Sequence, residues 1–197
     1  FGDGLPLSAM AAGADMAAVS MHKSGGSLTQ SSFLLTGKSM NSGRVRQIIN
    51  LTQTTSGSYL LLSSLDISRK NLAVNGKNIF KKVCALADYA RGEINRIGDY
   101  YAFSGEIING DSIFDFDTTK LSVNTVDTGL AGIEVYDLLR DEYDIQIEFG
   151  DMDNLLAYIS VGDRERDVER LVGAMAEIRR LYKKDKTGMM ISEYIPP

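Results

Sequence analysis

A mixed α/β fold followed by a smaller α+β unit is predicted by three patterns in the sequence. Two short apolar runs, Ala17-Ala18-Val19 and Phe33-Leu34-Leu35, flank a turn rich in glycine and serine. Helical periodicity takes over from Ser42 and continues, with two interruptions, to about Ile97. Strand and helix signals then alternate in the order β-α-β-β-α, which reads as a small sheet with helices on one face.

Each element has its own reason. The two apolar runs lack the polar alternation of a half-exposed strand, so they predict strands buried on both faces of a layered sheet. Ser42 to Gln53 places Val45, Ile48 and Ile49 at helical spacing. Tyr59 to about Ile97 is helical for much of its length, with a break predicted near Asn75-Gly76, a common turn pair. Its second part puts Ile79, Val83, Leu86, Ala87 and Ala90 on one stripe, and the segment is expected to link two domains. A loop runs from Gly105 to Asp117. Beyond it, Lys120 to Thr125 alternates as a strand, and Gly132 to Glu142 forms a helix carrying Val135, Leu138 and Leu139. Ile145 to Phe149 alternates again, and Leu155 to Val161 supplies a further strand. The last helix opens on Asp163 as its N-cap and aligns Val168, Leu171, Val172, Met175, Ile178 and Leu181 on one face. Lys183, Lys184 and Lys186 suit its negative C-terminal pole, and Gly188 is placed to end it. Tyr194-Ile195-Pro196-Pro197 reads as the start of a connection. Neither a repeat nor a low-complexity tract is visible.

Composition bounds the function. With 197 residues, 44% of them hydrophobic and 24% charged, the chain has enough apolar material for one large domain or two small ones. A net charge of -5 argues against a nucleic-acid surface, and no basic run with interleaved aromatics offsets it. The one cysteine, Cys84, excludes an intrachain disulfide, suits a reducing compartment and reads as a core residue. No apolar run is long enough to span a bilayer. A soluble, cytoplasmic protein is the expectation, with no nucleic-acid or membrane partner.

The chemistry is concentrated in Ser20-Met21-His22-Lys23-Ser24-Gly25-Gly26, where a lysine stands beside the only histidine of the chain. The small apolar approach before it predicts that Lys23 leaves the end of a buried strand with its amine in a pocket. Desolvation there would favour the free amine, which attacks a carbonyl to form a Schiff base. Ser20 and His22 would share one side if strand geometry persists, and could then hold a phosphate. The plainer readings are an exposed turn lysine, a structural histidine, and hydroxyls that merely cap turns.

Two other patterns are set aside. Gly37-Lys38-Ser39 has the ending of a phosphate-binding P-loop, but Ser32 stands where its first glycine belongs and Phe33-Leu34-Leu35 reads as a strand. Asp111, Asp115 and Asp117 lack the glycine and terminal glutamate of a calcium loop, so no metal is expected.

The Ser-x-His-Lys pattern and its glycine- and serine-rich turn resemble the cofactor-lysine signature of the pyridoxal-phosphate (PLP)-dependent ornithine/lysine/arginine decarboxylases. Thr54-Thr55-Ser56-Gly57-Ser58-Tyr59 and Ser63-Ser64-Leu65-Asp66 resemble the family's next stretch, where proline is more usual at the position of Gly57. Gly129-Leu130-Ala131-Gly132 and Asp144-Ile145-Gln146-Ile147-Glu148 resemble its smaller domain, so the likeness covers nearly the whole chain. It implies the C-terminal part of an aspartate aminotransferase-like PLP domain over residues 1–104, including the long linking helix. A small α+β sandwich domain is implied over 105–197.

The resemblance also implies roles. Lys23 would hold PLP covalently, Ser20 would bind the phosphate of its own subunit, and His22 would contact the cofactor or the substrate. Thr55 and Ser56 would reach the phosphate from the neighbouring subunit of a homodimer. The substrate would be a basic amino acid, the product a diamine or agmatine, and His22 and the freed Lys23 would be candidates to return a proton to the α-carbon. In the family an Asp-Glu-Ala-His segment before the lysine supplies the carboxylate for the pyridine nitrogen. Asp15 is too close in sequence to replace it, so the chain is expected to be a fragment that starts after that segment and is inactive by itself. An aminotransferase of the same fold, or a non-catalytic assembly module, would be the alternative readings.

Overall fold

The computed structural model describes residues 4–184. Lys186, Gly188 and the Tyr194–Pro197 ending lie outside the described residues. Packing divides the chain into two units at Lys82/Val83, with Ser160–Gly162 belonging to the first.

In the first unit, β1 (Met16–Val19) pairs antiparallel with β2 (Phe33–Thr36), in register from Met16 opposite Thr36 to Val19 opposite Phe33. The Gly37 N–H extends the ladder by donating to the Asp15 carbonyl at 2.8 Å. Both strands fall where the apolar runs predict them, and Phe33–Thr36 is strand rather than phosphate-binding loop. Burial on both faces is not observed: Met16, Leu34 and Leu35 are each about two-fifths exposed. A two-stranded ribbon has too few neighbours to cover both its faces.

Helix α1 (Met21–Ser24) lies between the strands. It is followed by α2 (Ser42–Thr52), whose first turn is capped by the Asn41 side chain accepting from the Arg44 N–H at 3.1 Å. Helix α3 (Tyr59–Ile97) then runs without interruption for 39 residues, straight through Asn75-Gly76. The predicted break fails because the buried stripe of Leu65, Leu72, Val83, Leu86, Ala90 and Ile94 continues on both sides of it. Packing of the flanking turns outweighs the roughly 1 kcal/mol that one interior glycine costs. The dividing point of the two units lies inside this helix, and Cys84 is half-buried on it. Met21, Leu65 and Leu72 form the core of the first unit, with Val19, Phe33, Ile79, Phe80 and Val161 packed around them.

The second unit holds a fully antiparallel sheet in the order β3-β4-β6-β5, made of β3 (Tyr101–Ala102), β4 (Lys120–Asn124), β5 (Phe149–Gly150) and β6 (Asn154–Tyr158). Leu121 and Val123 on β4, and Leu155 and Ala157 on β6, are buried at alternate positions and define the inner face. Helix α4 (Gly132–Tyr143) packs on β5 and β6, and α5 (Glu165–Tyr182) packs on α4. β3 has no counterpart in the sequence reading. The strand expected over 145–149 shrinks to Phe149–Gly150, and the one expected over 155–161 shifts to Asn154–Tyr158. The N-cap of α5 is Arg164 rather than Asp163, and the Asp167 carboxylate accepts the Arg164 N–H at 3.2 Å. Leu181, expected on the buried face, is 52% exposed.

Glycine is required where α4 meets the β5–β6 turn. A Cβ on Gly132 would stand 2.0 Å from the Asn154 carbonyl oxygen, and one on Gly150 would stand 2.5 Å from that of Gly132. This approach lets the Met152 and Asp151 carbonyls accept the N–H groups of Gly132 (3.3 Å) and Ile133 (2.7 Å), while Glu134 accepts that of Ala131 at 2.8 Å. Arg91, only 5% exposed, donates to the Phe103 and Thr118 carbonyls and to Asp88, so its buried charge pins both ends of the intervening loop.

Candidate functional site

The turn between β1 and β2 is built from backbone geometry first. Ser20 leaves the strand at φ -75° and ψ 86°, and one helical turn follows, with the Lys23 N–H on the Ser20 carbonyl at 3.3 Å. Gly25 closes it by donating to the Met21 carbonyl at 2.8 Å. A Cβ on Gly25 would stand 2.4 Å from the Met21 methyl carbon, so a side chain here would dislodge the residue that anchors the turn in the core. Gly26 follows at φ +86°, a region that glycine enters without penalty.

Two sequence expectations are corrected by this geometry. Lys23 lies on a short helix and is exposed rather than at a strand end with its amine buried. Ser20 and His22 do not share a strand face, because the strand ends before Met21. The reason is local: the Met21 side chain turns into the core and starts a helical turn there.

His22 is half-buried, and its Nδ1 lies 3.0 Å from the Ser31 carbonyl oxygen. A carbonyl only accepts, so Nδ1 carries a hydrogen, and in the neutral ring Nε2 is left as the acceptor. Ser31 is itself 3% exposed. Its hydroxyl donates to the Leu28 carbonyl and lies 2.7 Å from that of Ser27. Two serines of α3 grip the same turn: the Ser68 hydroxyl donates to the Gly25 carbonyl, and the Ser64 hydroxyl accepts the Leu28 N–H at 3.2 Å. The structure thus gathers Ser20, His22 and Lys23 on one braced turn.

Thr55 and Ser56 stand apart in sequence and element, on the exposed segment between α2 and α3. There the Thr54 hydroxyl accepts the Ser56 N–H at 3.2 Å. Asp15, beside the start of β1, accepts from the Ser39 hydroxyl at 3.1 Å. Sequence reasoning missed Ser31, Ser64 and Ser68 as parts of the site. Ser64 and Ser68 carried a signal: they sit four residues apart beside Leu65 and Leu72, so they share the helix face that packing alone would fill with apolar residues.

Residues 1–125 match the profile of the family described as Orn/Lys/Arg decarboxylase, major domain. The whole chain is 46% identical over 198 residues to an arginine decarboxylase of Halalkalibacterium halodurans. It is 41% identical to arginine decarboxylases of Bacillus anthracis and Bacillus subtilis. In each case it spans 40% of the relative's length. Among solved structures, the lysine decarboxylase LdcF of Francisella novicida superposes on 85% of this chain and 28% of its own, with a TM-score of 0.74 at 19% identity. The constitutive lysine decarboxylase of E. coli superposes on 78% of this chain and 26% of its own, with a TM-score of 0.64 at 18% identity. These two likenesses concern the fold.

Proposed function

Because the chain belongs to the Orn/Lys/Arg decarboxylase family, we propose that the protein containing it removes the α-carboxyl group of a basic amino acid, with arginine the leading substrate. The observation that carries this is the braced turn presenting Lys23 and His22, in a chain that matches named arginine decarboxylases over its full length. The named relatives lend no support to an aminotransferase or a non-catalytic module.

The residues fit a PLP group by the chemistry of their donors. Lys23 offers a primary amine for an aldehyde on an exposed turn, and Ser20 offers a hydroxyl for the phosphate of its own subunit. Thr55 and Ser56 would add hydroxyls to the phosphate from the neighbouring subunit, in an assembly of at least two copies. When bound, PLP supplies an electron sink for the pair left on the α-carbon as carbon dioxide departs. His22, its Nδ1 engaged by Ser31, keeps Nε2 for accepting or returning a proton, and the Lys23 amine is the second candidate to return one to the α-carbon. Residues 1–104 would be the last part of the PLP-binding domain and 105–197 the smaller domain.

Borohydride reduction of the full-length protein followed by peptide mass spectrometry is expected to find a pyridoxyl group on Lys23. Arginine, lysine and ornithine would be compared by product identification, and Lys23→Ala is expected to remove nearly all carbon dioxide release. An adduct on another lysine, or keto acid formed faster than carbon dioxide, would overturn the reading.

A further inference from the structure

We infer that Ser68, on the buried face of α3, is a positioning residue for the turn that carries Lys23 and His22. The inference rests on the reading that Lys23 holds the cofactor. Ser68 is 4% exposed and stands on a face otherwise occupied by Leu65 and Leu72, where an alanine or a leucine would satisfy packing. Its hydroxyl is accounted for by the carbonyl it meets, that of the buried Gly25. Gly25 ends α1 and lies two residues after Lys23, so fixing its carbonyl fixes how that helical turn sits on α3.

Ser64, one turn earlier on the same helix, holds the Leu28 N–H at 3.2 Å. Its own hydroxyl hydrogen goes to the Leu61 carbonyl at 2.8 Å, so its oxygen is oriented to accept. The two serines therefore clamp the chain at Gly25 and Leu28. Beyond Leu28 the Ser31 hydroxyl donates to the Leu28 carbonyl, and the Ser31 carbonyl takes the His22 Nδ1 hydrogen. The connection from α3 to the imidazole is thus continuous. Removing the Ser68 hydroxyl leaves a buried carbonyl without its donor. The turn is then free to shift by the small displacement to which catalytic geometry is sensitive.

The test uses full-length protein and compares Ser68→Ala, Ser68→Thr and, as a purely packing control, Leu72→Ala. In the cofactor-free form, Ser68→Ala is expected to speed amide hydrogen exchange over residues 25–28 while the rest of α3 stays protected. With cofactor bound it should weaken the induced circular dichroism of PLP. It should also lower kcat by about 10- to 100-fold with KM little changed. Ser68→Thr, which keeps the hydroxyl, should recover most of both signals. Leu72→Ala should lower the unfolding temperature without this pattern. Should Ser68→Ala fail to fold, Ser64→Ala takes its place with the same expectations. Unchanged exchange, dichroism and kcat in the serine variant, or the same pattern in Leu72→Ala, would overturn the inference. A wild-type protein without a pyridoxyl group on Lys23 would instead overturn the functional reading on which it rests.

Discussion

In the second unit, Leu121, Val123, Val135, Leu139, Met175 and Ile178 are wholly shielded from solvent. In the first, Met21, Leu65 and Leu72 are the buried hydrophobic residues among those described, while Leu51, Tyr59, Leu60, Ile67 and Val74 are each more than two-thirds exposed. One unit is held by a closed core. The other keeps its candidate chemistry in place with a small core and a chain of serine hydrogen bonds. The contrast teaches that positional order at a site does not require a large core beneath it: directional contacts to one long helix also fix a turn. The chain spans 40% of the length of the curated relatives it matches.

The largest stability effect is expected in the closed core. Leu139→Ala should destabilise the second unit by about 2–5 kcal/mol, the usual range for a leucine truncated where neighbours relax only partly. Equilibrium denaturation followed by far-ultraviolet dichroism measures it. A loss below about 1 kcal/mol would erase the contrast between the units.

A smaller effect, and one that depends on pH, is expected at Asp99. Its carboxylate takes Lys183 Nζ at 2.7 Å and Arg179 Nε at 2.6 Å. Those hydrogen bonds, from Lys183 first and Arg179 second, hold its pKa below the ordinary aspartate value of 3.8. A depressed carboxylate contributes stability that is present above 3.8 and lost as pH falls through the folded value. Asp99→Asn should therefore lower the denaturation midpoint at neutral pH, and the gap from wild type should close in acid. A gap independent of pH would show that the ion pairs are not its source.

The smallest effect is expected at Leu51, which is 80% exposed. Leu51→Ser should change the stability of this chain by no more than about 0.5 kcal/mol. A clear loss would instead show that Leu51 is covered in solution, which would sharpen the comparison.

How much of this was readable in advance depended on whether the deciding contacts were local. The strands on either side of the Lys23 turn, helices α2, α4 and α5, and strands β4 and β6 were legible because each carries its own apolar period. The Ser20-x-His22-Lys23 set was legible as a motif. The continuity of α3 was not, because Asn75-Gly76 favours a turn locally and only the stripe packed along both halves opposes it. β3 was not, and neither was the two-residue extent of β5, because an edge strand exists only through its partner's register. The cap of α5 moved by one residue because Asp167, from inside the helix, satisfies the backbone N–H of Arg164.

The sequence by itself determined the family and the order of most elements and marked out the candidate residues for the chemistry, because composition, periodicity and motif spacing are properties of neighbours along the chain. Only the tertiary structure decided that Lys23 rides an exposed helical turn, that His22 presents Nε2, and that Ser64 and Ser68 secure the turn from a helix more than thirty residues away. Those outcomes rest on which donor meets which acceptor across space. A serine in a sequence states that it has a hydroxyl, but the fold alone states which carbonyl receives it.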